Sequence, residues 1–370
     1  MLRLMRNCIS LAVPLALLPI AGATRAADPT WLDEVVTPPA EIRAEKVGRV
    51  EPLLETSDGK PIRTVAEWEK RRKELRAEWM KFLGPMPEPR PEVKLEELRA
   101  ADTDDFTRRL VRYEGEPGIM VEGWLLRPKK SEFAQDGKLP AICGLHATTE
   151  LSIDQIAGIG GNPTRQLAPK LAERGFVVFC PRNYLWQSVE SYNQAVAAHA
   201  KRHPNTLGMH KMLYDAVRGV DVLASLDDVD AKRIGTIGHS LGAKEVLYLL
   251  AFDERVKAGC SSEGGILFRS TNWDAEWYLG QRIRDESFPL NHHQVLALCA
   301  PRPLLVLGGE QGGGSADGNR SWALIRPAQE VYALHGQPVR LGLFNHGKGH
   351  DVPPEAYSRM EDWLVEYVAK

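Results

Sequence analysis

Arg233-Ile-Gly-Thr-Ile-Gly-His-Ser-Leu-Gly-Ala-Lys-Glu-Val-Leu-Tyr-Leu-Leu250 is the stretch that decides the fold. A short β-prone run, Ile234 to Ile237, breaks at Gly238 and resumes as a helix with Leu241, Val246, Leu247 and Leu250 on helical spacing. Gly238-His239-Ser240-Leu241-Gly242 is a G-x-S-x-G turn. A strand that reverses this sharply into a helix brings the positions two before and two after the serine against neighbouring backbone, where a side chain would collide. The hydroxyl of Ser240 is then raised at a sheet edge. The first N–H groups of the following helix, with the positive end of its dipole, face the same spot and would stabilise charge developing on an attacked carbonyl oxygen. The chemistry implied is acyl transfer, with Ser240 as nucleophile. Gly235 and Ala243 permit close packing of helix on sheet.

Outward from this unit the pattern alternates. Before it come the apolar strand Leu139 to Leu145, a helix ending near Leu171 to Arg174, the strand Phe176 to Cys180 and a helix around Met209 to Leu226. After it come Val256 to Cys260, Pro303 to Leu307, a helix around Trp322 to His335, Val339 to Phe344 and a closing helix from Pro354 to Val368. Such alternation implies right-handed crossovers and a parallel sheet covered by helices on both faces. Phe106 to Tyr113 and Ile119 to Leu126, separated by Gly115-Glu-Pro-Gly118, read as a hairpin. Further upstream, Thr64 to Leu83 is an amphipathic helix with Thr64 as N-cap, Gly84-Pro85 as its stop and a stripe of Trp68, Leu75, Trp79, Phe82 and Leu83 that docks on the main domain. Pro29 to Pro61, rich in Pro and charge, reads as a surface-wrapping linker.

With 370 residues, 43% hydrophobic and 26% charged, the chain suits one large α/β domain with an extension. The expected division is an export signal at 1–26, an N-terminal extension with the amphipathic helix at 27–103 and a catalytic domain at 104–370. The signal is read from Arg3 and Arg6, the apolar run Leu11 to Ile20 and the small-x-small site Thr24-Arg25-Ala26. It implies export to the periplasm or the outside of the cell, and no later segment is apolar enough for a membrane span. A formal net charge of −2 gives no basic excess for nucleic acid and fits a small substrate of little charge. Cys143, Cys180, Cys260 and Cys299 each lie in or just after an apolar run and read as buried small hydrophobes.

A serine hydroxyl needs a base, and the base needs a carboxylate to fix its tautomer and stabilise its charged form. The last strand opens into Asn345-His-Gly-Lys-Gly-His-Asp-Val-Pro-Pro354, where His350 at the far end of a glycine-loosened loop is the expected base and His346 a structural hydrogen-bonder. The loop after Pro303 to Leu307 is Gly308-Gly-Glu-Gln-Gly-Gly-Gly-Ser-Ala-Asp-Gly-Asn-Arg-Ser-Trp322. Chain order selects Asp317 in that loop as the acid, with Glu263 and Glu310 as alternatives. The oxyanion hole is expected from the N–H of Leu241 and an N–H of the loop His146-Ala-Thr-Thr149, Thr148 or Ala147, with His146 ordering the loop. Tyr184, Trp186, Trp273 and Trp277 follow strand ends and are expected to rim the substrate site, because ligands of open α/β sheets bind beyond the carboxyl ends of the strands. Asn291-His-His293 has no third ligand at metal spacing, and neither a metal nor a cofactor is expected.

Gly238-His-Ser-Leu-Gly242, the His146 loop, Ala300-Pro-Arg-Pro-Leu-Leu-Val306 and Gly349-His350-Asp351 together resemble the α/β-hydrolase superfamily, in the branch of dienelactone-hydrolase-like and acetyl-xylan-esterase-like secreted bacterial enzymes. The resemblance covers roughly 104–370. It implies an eight-stranded, mostly parallel sheet and a Ser-His-acid esterase. Two positions depart from the pattern: the oxyanion loop reads His-Ala in place of His-Gly, and a glycine-rich insertion replaces the aspartate usual soon after the Pro303 to Leu307 strand. Glu263 also resembles the acid position of glucuronoyl esterases. The expected function is a secreted serine carboxylesterase acting on an ester-decorated carbohydrate such as acetyl xylan. The alternatives are a peptidase of the same fold, a glucuronoyl-type esterase and a catalytically inactive binding protein; the sequence leaves the oligomeric state open.

Overall fold

The computed structural model describes residues 29–370 apart from 43, 44, 46, 188–190 and 337. The expected export signal lies outside the described residues. Among the described residues nine strands form one sheet in the order β1-β2-β3-β5-β4-β6-β7-β8-β9. They are β1 Glu96–Ala100, β2 Phe106–Glu116, β3 Ile119–Pro128, β4 Leu139–Leu145, β5 Val177–Pro181, β6 Val229–His239, β7 Val256–Ser262, β8 Leu304–Gly308 and β9 Leu341–Asn345. The helices, in chain order, are α1 Leu32–Val36, α2 Val65–Leu83, α3 Ile153–Ile156, α4 Leu167–Arg174, α5 Tyr192–Arg202, α6 Gly208–Ala224, α7 Leu241–Phe252, α8 His292–Cys299, α9 Trp322–Leu334 and α10 Pro354–Leu364.

From β5 onward every neighbouring pair is parallel, while β1, β2 and β3 extend the sheet as an antiparallel meander. The sheet thus has one strand more than expected. Glu96–Ala100, which the sequence assigns to the extension, is its edge strand, paired with β2.

Both sheet faces are buried, as the apolar strands require. Ala141, Cys143 and Leu145 of β4 join α2, α6, α7, α8 and α9 in one core; Ile142 on the opposite face joins α1, α4 and α10 in another. Thr64 and Glu67 close a capping box at the start of α2, and Gly84 ends it. The buried stripe of α2, Trp68, Leu75, Trp79 and Leu83, belongs to the first core, and Trp79 Nε1 donates to Gln294 Oε1 on α8 at 3.2 Å. The amphipathic helix therefore docks on the main domain. The four cysteines are buried free thiols. Among the described residues no helix is long and apolar enough to cross a membrane.

Register places the chemistry. Leu145 pairs with Gly238, His239 with Ser262, Ser262 with Leu307 and Gly308 with Asn345. The residues that follow, His146, Ser240, Glu263, Gly309 and His346, consequently emerge side by side at one edge of the sheet.

Candidate active site

The turn from β6 into α7 confirms the steric reading of the two glycines. A Cβ on Gly238 would lie 2.4 Å from the carbonyl of Gly242, and one on Gly242 would lie 2.0 Å from the carbonyl oxygen of Leu145. Ser240 sits between them at φ 59°, ψ −114°, a conformation that L side chains rarely adopt. Its N–H donates to the carbonyl of Ser262 at 2.8 Å, which ties the turn to the end of β7. Leu241 is the first residue of α7, so its N–H has no acceptor within the helix. The close approach of Leu145 to Gly242 seats the loop that carries Thr148 against the same turn. Thr148 itself is exposed.

His350 reaches this edge from the loop after β9. Its ring lies 4.7 Å from that of His239, the residue before Ser240. Arg165 Nη2 donates to the His350 carbonyl at 3.0 Å and holds the loop from outside. Nδ1 of His350 faces Glu263 Oε2 at 3.6 Å. Glu263 follows β7 at φ 58° and is 1% exposed. Its carboxylate is oriented by backbone donors: Gly309 N–H on Oε1, Ala316 and Asp317 N–H on Oε2. The second histidine of the loop, His346, turns Nε2 toward Glu263 Oε1 at 3.8 Å, and burial lowers its pKa.

Asp317, selected by chain order, does not face His350. Its buried carboxylate accepts the N–H groups of Gly265 and Ile266 at 2.7 and 2.8 Å and the Ser321 hydroxyl at 2.7 Å. Burial and the neighbouring Glu263 push this carboxyl's pKa up. The physical reason is the path of the glycine-rich loop: Gly308 packs on Asp317 so closely that a Cβ would meet its carbonyl carbon at 2.4 Å. The loop returns on itself and aims Asp317 at the backbone that follows Glu263. Glu310 is likewise used within the loop, accepting from Asn319 N–H and from Asn345 Nδ2.

Of the aromatic residues expected on the rim, Trp186 and Trp277 keep exposed surface, whereas Tyr184 and Trp273 are buried. The latter two are wall residues: Trp273 Nε1 donates to Gly265 O, and the Tyr184 ring contacts His199 at 5.5 Å. His292 uses both ring nitrogens on protein, Nδ1 with Ile266 O at 2.7 Å and Nε2 with Tyr248 OH at 3.0 Å. His293 Nε2 contacts Glu51 O at 3.1 Å.

Two buried residues beside the nucleophile turn, Lys244 and Glu245, escaped the sequence reading. Lys244, one helical turn after Ser240, is buried, donates to Gly264 O and Thr271 Oγ1, and lies 4.0 Å over the Trp273 ring. Burial lowers its ammonium pKa to about 7. Glu245 is buried beside it and accepts from Asn183 Nδ2 at 2.8 Å. The signal was present: α7 is buried on every side, so adjacent charged residues in it demand partners.

Residues 151–275 match the model of the dienelactone hydrolase family. The Bacillus subtilis (strain 168) protein named "Putative hydrolase YtaP" is 23% identical over 246 residues, 64% of this chain and 80% of that protein. Carbohydrate esterase MZ0003, from an unknown prokaryotic organism, is 26% identical over 134 residues, 32% of this chain and 31% of that one. Among solved structures, a glucuronoyl esterase from Solibacter usitatus superposes with a TM-score of 0.70 at 20% identity, over 88% of this chain and 99% of that one. The chain thus has the α/β-hydrolase fold of that solved structure, and its residues 151–275 are similar to the dienelactone hydrolase family.

Proposed function

We propose that this protein is an exported serine carboxylesterase acting on carbohydrate esters, with Ser240 as nucleophile, His350 as base and Glu263 as the acid. The observation that carries the assignment is the 3.6 Å approach of Glu263 Oε2 to His350 Nδ1, while Asp317 is occupied by backbone N–H groups and Ser321. Ser240 Oγ attacks the ester carbonyl as His350 Nε2 takes its proton, and the oxyanion is held by the N–H groups of Leu241 and Thr148. His350 then protonates the leaving alcohol, and a water activated by the same base releases the acid from Ser240. Glu263 stabilises the imidazolium in both halves. No step calls for a cofactor.

An acid at the end of β7, together with the likeness to a glucuronoyl esterase, favours an ester in which the sugar is the acyl part, a uronate, over one in which an acetyl group decorates the sugar. Trp186 and Trp277 are the aromatic surfaces left to meet a sugar ring. Export is supported by Arg3, Arg6, the apolar run Leu11 to Ile20 and the small residues before Ala27. The test is turnover of a benzyl glucuronate ester, p-nitrophenyl acetate and a peptide p-nitroanilide by wild type and Ser240→Ala, with fluorophosphonate labelling alongside. Labelling at Ser240 and hydrolysis of the glucuronate ester are expected; acetate turnover alone would move the substrate to acetylated sugars, and an unlabelled, inert wild type would overturn the enzyme reading.

A further inference from the structure

We infer that Glu245 and Asn183 are positioning residues for the oxyanion hole, acting through His146 on the peptide between Ala147 and Thr148. The inference rests on the esterase reading of the site and adds to it the device that aims the second oxyanion donor.

A chain of hydrogen bonds runs from the nucleophile helix to the oxyanion loop. Glu245, five residues after Ser240, accepts the side-chain amide of Asn183 at 2.8 Å. The other face of that side chain, Oδ1, accepts Leu185 N–H at 3.0 Å and caps the turn Tyr184–Trp186. Held at both ends, Asn183 aims its backbone N–H at His146 Nε2, 3.1 Å away. Because Nε2 accepts, the ring proton resides on Nδ1, and Nδ1–H donates to the Ala147 carbonyl at 2.9 Å. The same turn grips the imidazole from its side, the Trp186 ring standing edge-on at 4.9 Å.

The last bond has a geometric consequence. In a trans peptide the C=O of one residue and the N–H of the next point in opposite directions. Ala147 C=O is drawn inward to buried His146, so the Thr148 N–H is turned outward. The start of the loop lies against the Ser240 turn, the Leu145 and His146 carbonyls crowding Gly242, and the relay proposed here has that N–H face the nucleophile. All of this requires a neutral imidazole, and burial lowers the His146 pKa to about 4. Burial also raises the Glu245 carboxyl pKa well above its ordinary value. A glutamine there would retain the acceptor that Asn183 needs, whereas a leucine would leave the buried amide unpaired.

The experiment compares wild type with Asn183→Ala, Asn183→Ser, Glu245→Leu and Glu245→Gln. It measures kcat and KM on the best ester, the affinity for a phenylboronic acid as tetrahedral oxyanion mimic, and the thermal midpoint. Asn183→Ser keeps a hydroxyl cap for Leu185 N–H but does not reach Glu245, so it separates the relay from the turn should the alanine or leucine variant fail to fold. Asn183→Ser and Glu245→Leu are expected to lower kcat roughly 10- to 100-fold at little-changed KM, with boronate affinity weakened in proportion and Glu245→Gln within about threefold of wild type. Folded variants that keep wild-type kcat, or a Glu245→Gln that falls as far as Glu245→Leu, overturn the relay. An inert wild type overturns the esterase reading instead, a distinguishable failure.

Discussion

Replacing Glu263 by glutamine removes a charge and almost no volume, so its effect on catalysis can be worked from the site. On the proposed mechanism His350 carries a proton in the transition state, and it faces Glu263 Oε2 across 3.6 Å. Two unit charges at that separation attract by about 4 to 5 kcal/mol at an effective dielectric near 20. Converted at about 1.4 kcal/mol per decade, the loss is roughly a thousandfold in kcat. KM should change little, because the imidazolium exists only after the substrate is bound and attacked. Asp317→Asn is the control. Its carboxylate serves Gly265 N–H, Ile266 N–H and Ser321, and an amide nitrogen would oppose one of those donors. That mismatch costs about 1 to 3 kcal/mol of stability. Activity in Asp317→Asn should stay within about tenfold, since its link to His350 runs only through the loop. Steady-state kinetics on the best ester and thermal unfolding of both variants decide the matter. A Glu263→Gln enzyme retaining a tenth of wild-type kcat, or an Asp317→Asn enzyme falling equally far with its fold intact, would refute the assignment of the acid.

The turn itself predicts that Gly242→Ala lowers kcat by on the order of a hundredfold or more, because the new Cβ would sit 2.0 Å from the Leu145 carbonyl oxygen with backbone on both sides; kinetics on the folded variant check it, and wild-type turnover would contradict it. Trp79→Ala should destabilise the chain by about 3 to 5 kcal/mol, emptying a fully buried site and leaving Gln294 without the indole donor; an unfolding free energy from urea titration lowered by less than about 1 kcal/mol would show that α2 does not hold the domain. Stability should fall between pH 7 and pH 5. Burial lowers the pKa of His146, His199 and His293 to about 4 and of His292 to about 3, so the unfolded chain takes up their protons near pH 6.5 while the folded one does not. Each contributes about 2 kcal/mol of loss at pH 5. Asp215, which burial raises to about 6, Glu245 and Asp317, which burial also raises, and Lys244, which burial lowers to about 7, work in the opposite sense over the same window and offset part of that loss. Urea titrations at the two pH values check the sign, and a midpoint at pH 5 equal to or above that at pH 7 would contradict it.

What the sequence disclosed and what it hid divide by the range of the interactions involved. The turn at Ser240 was legible because its constraint is local: collisions within five residues force glycine at Gly238 and Gly242 whatever the rest of the chain does. The parallel strands were legible because burial on both faces leaves continuous apolar runs. The edge strand Glu96–Ala100 was not, because all five of its residues are exposed and no alternation marks it. The position of the acid is a different problem. Chain order pointed to the loop after β8, but a loop with glycines at 308, 309, 312, 313, 314 and 318 imposes little direction of its own, and its path is set by what it packs against. Here it packs against the end of β7, so Asp317 is consumed in holding Gly265 and Ile266 while the loop's own Gly309, Ala316 and Asp317 N–H groups orient Glu263 toward His350. On the proposed assignment, the insertion that replaces the usual acid is the element that builds the place for another. A loop shortened between Gly312 and Gly314 would keep every proposed catalytic side chain and still misdirect Glu263, which makes 308–318 as much a part of the site as the residues that touch substrate.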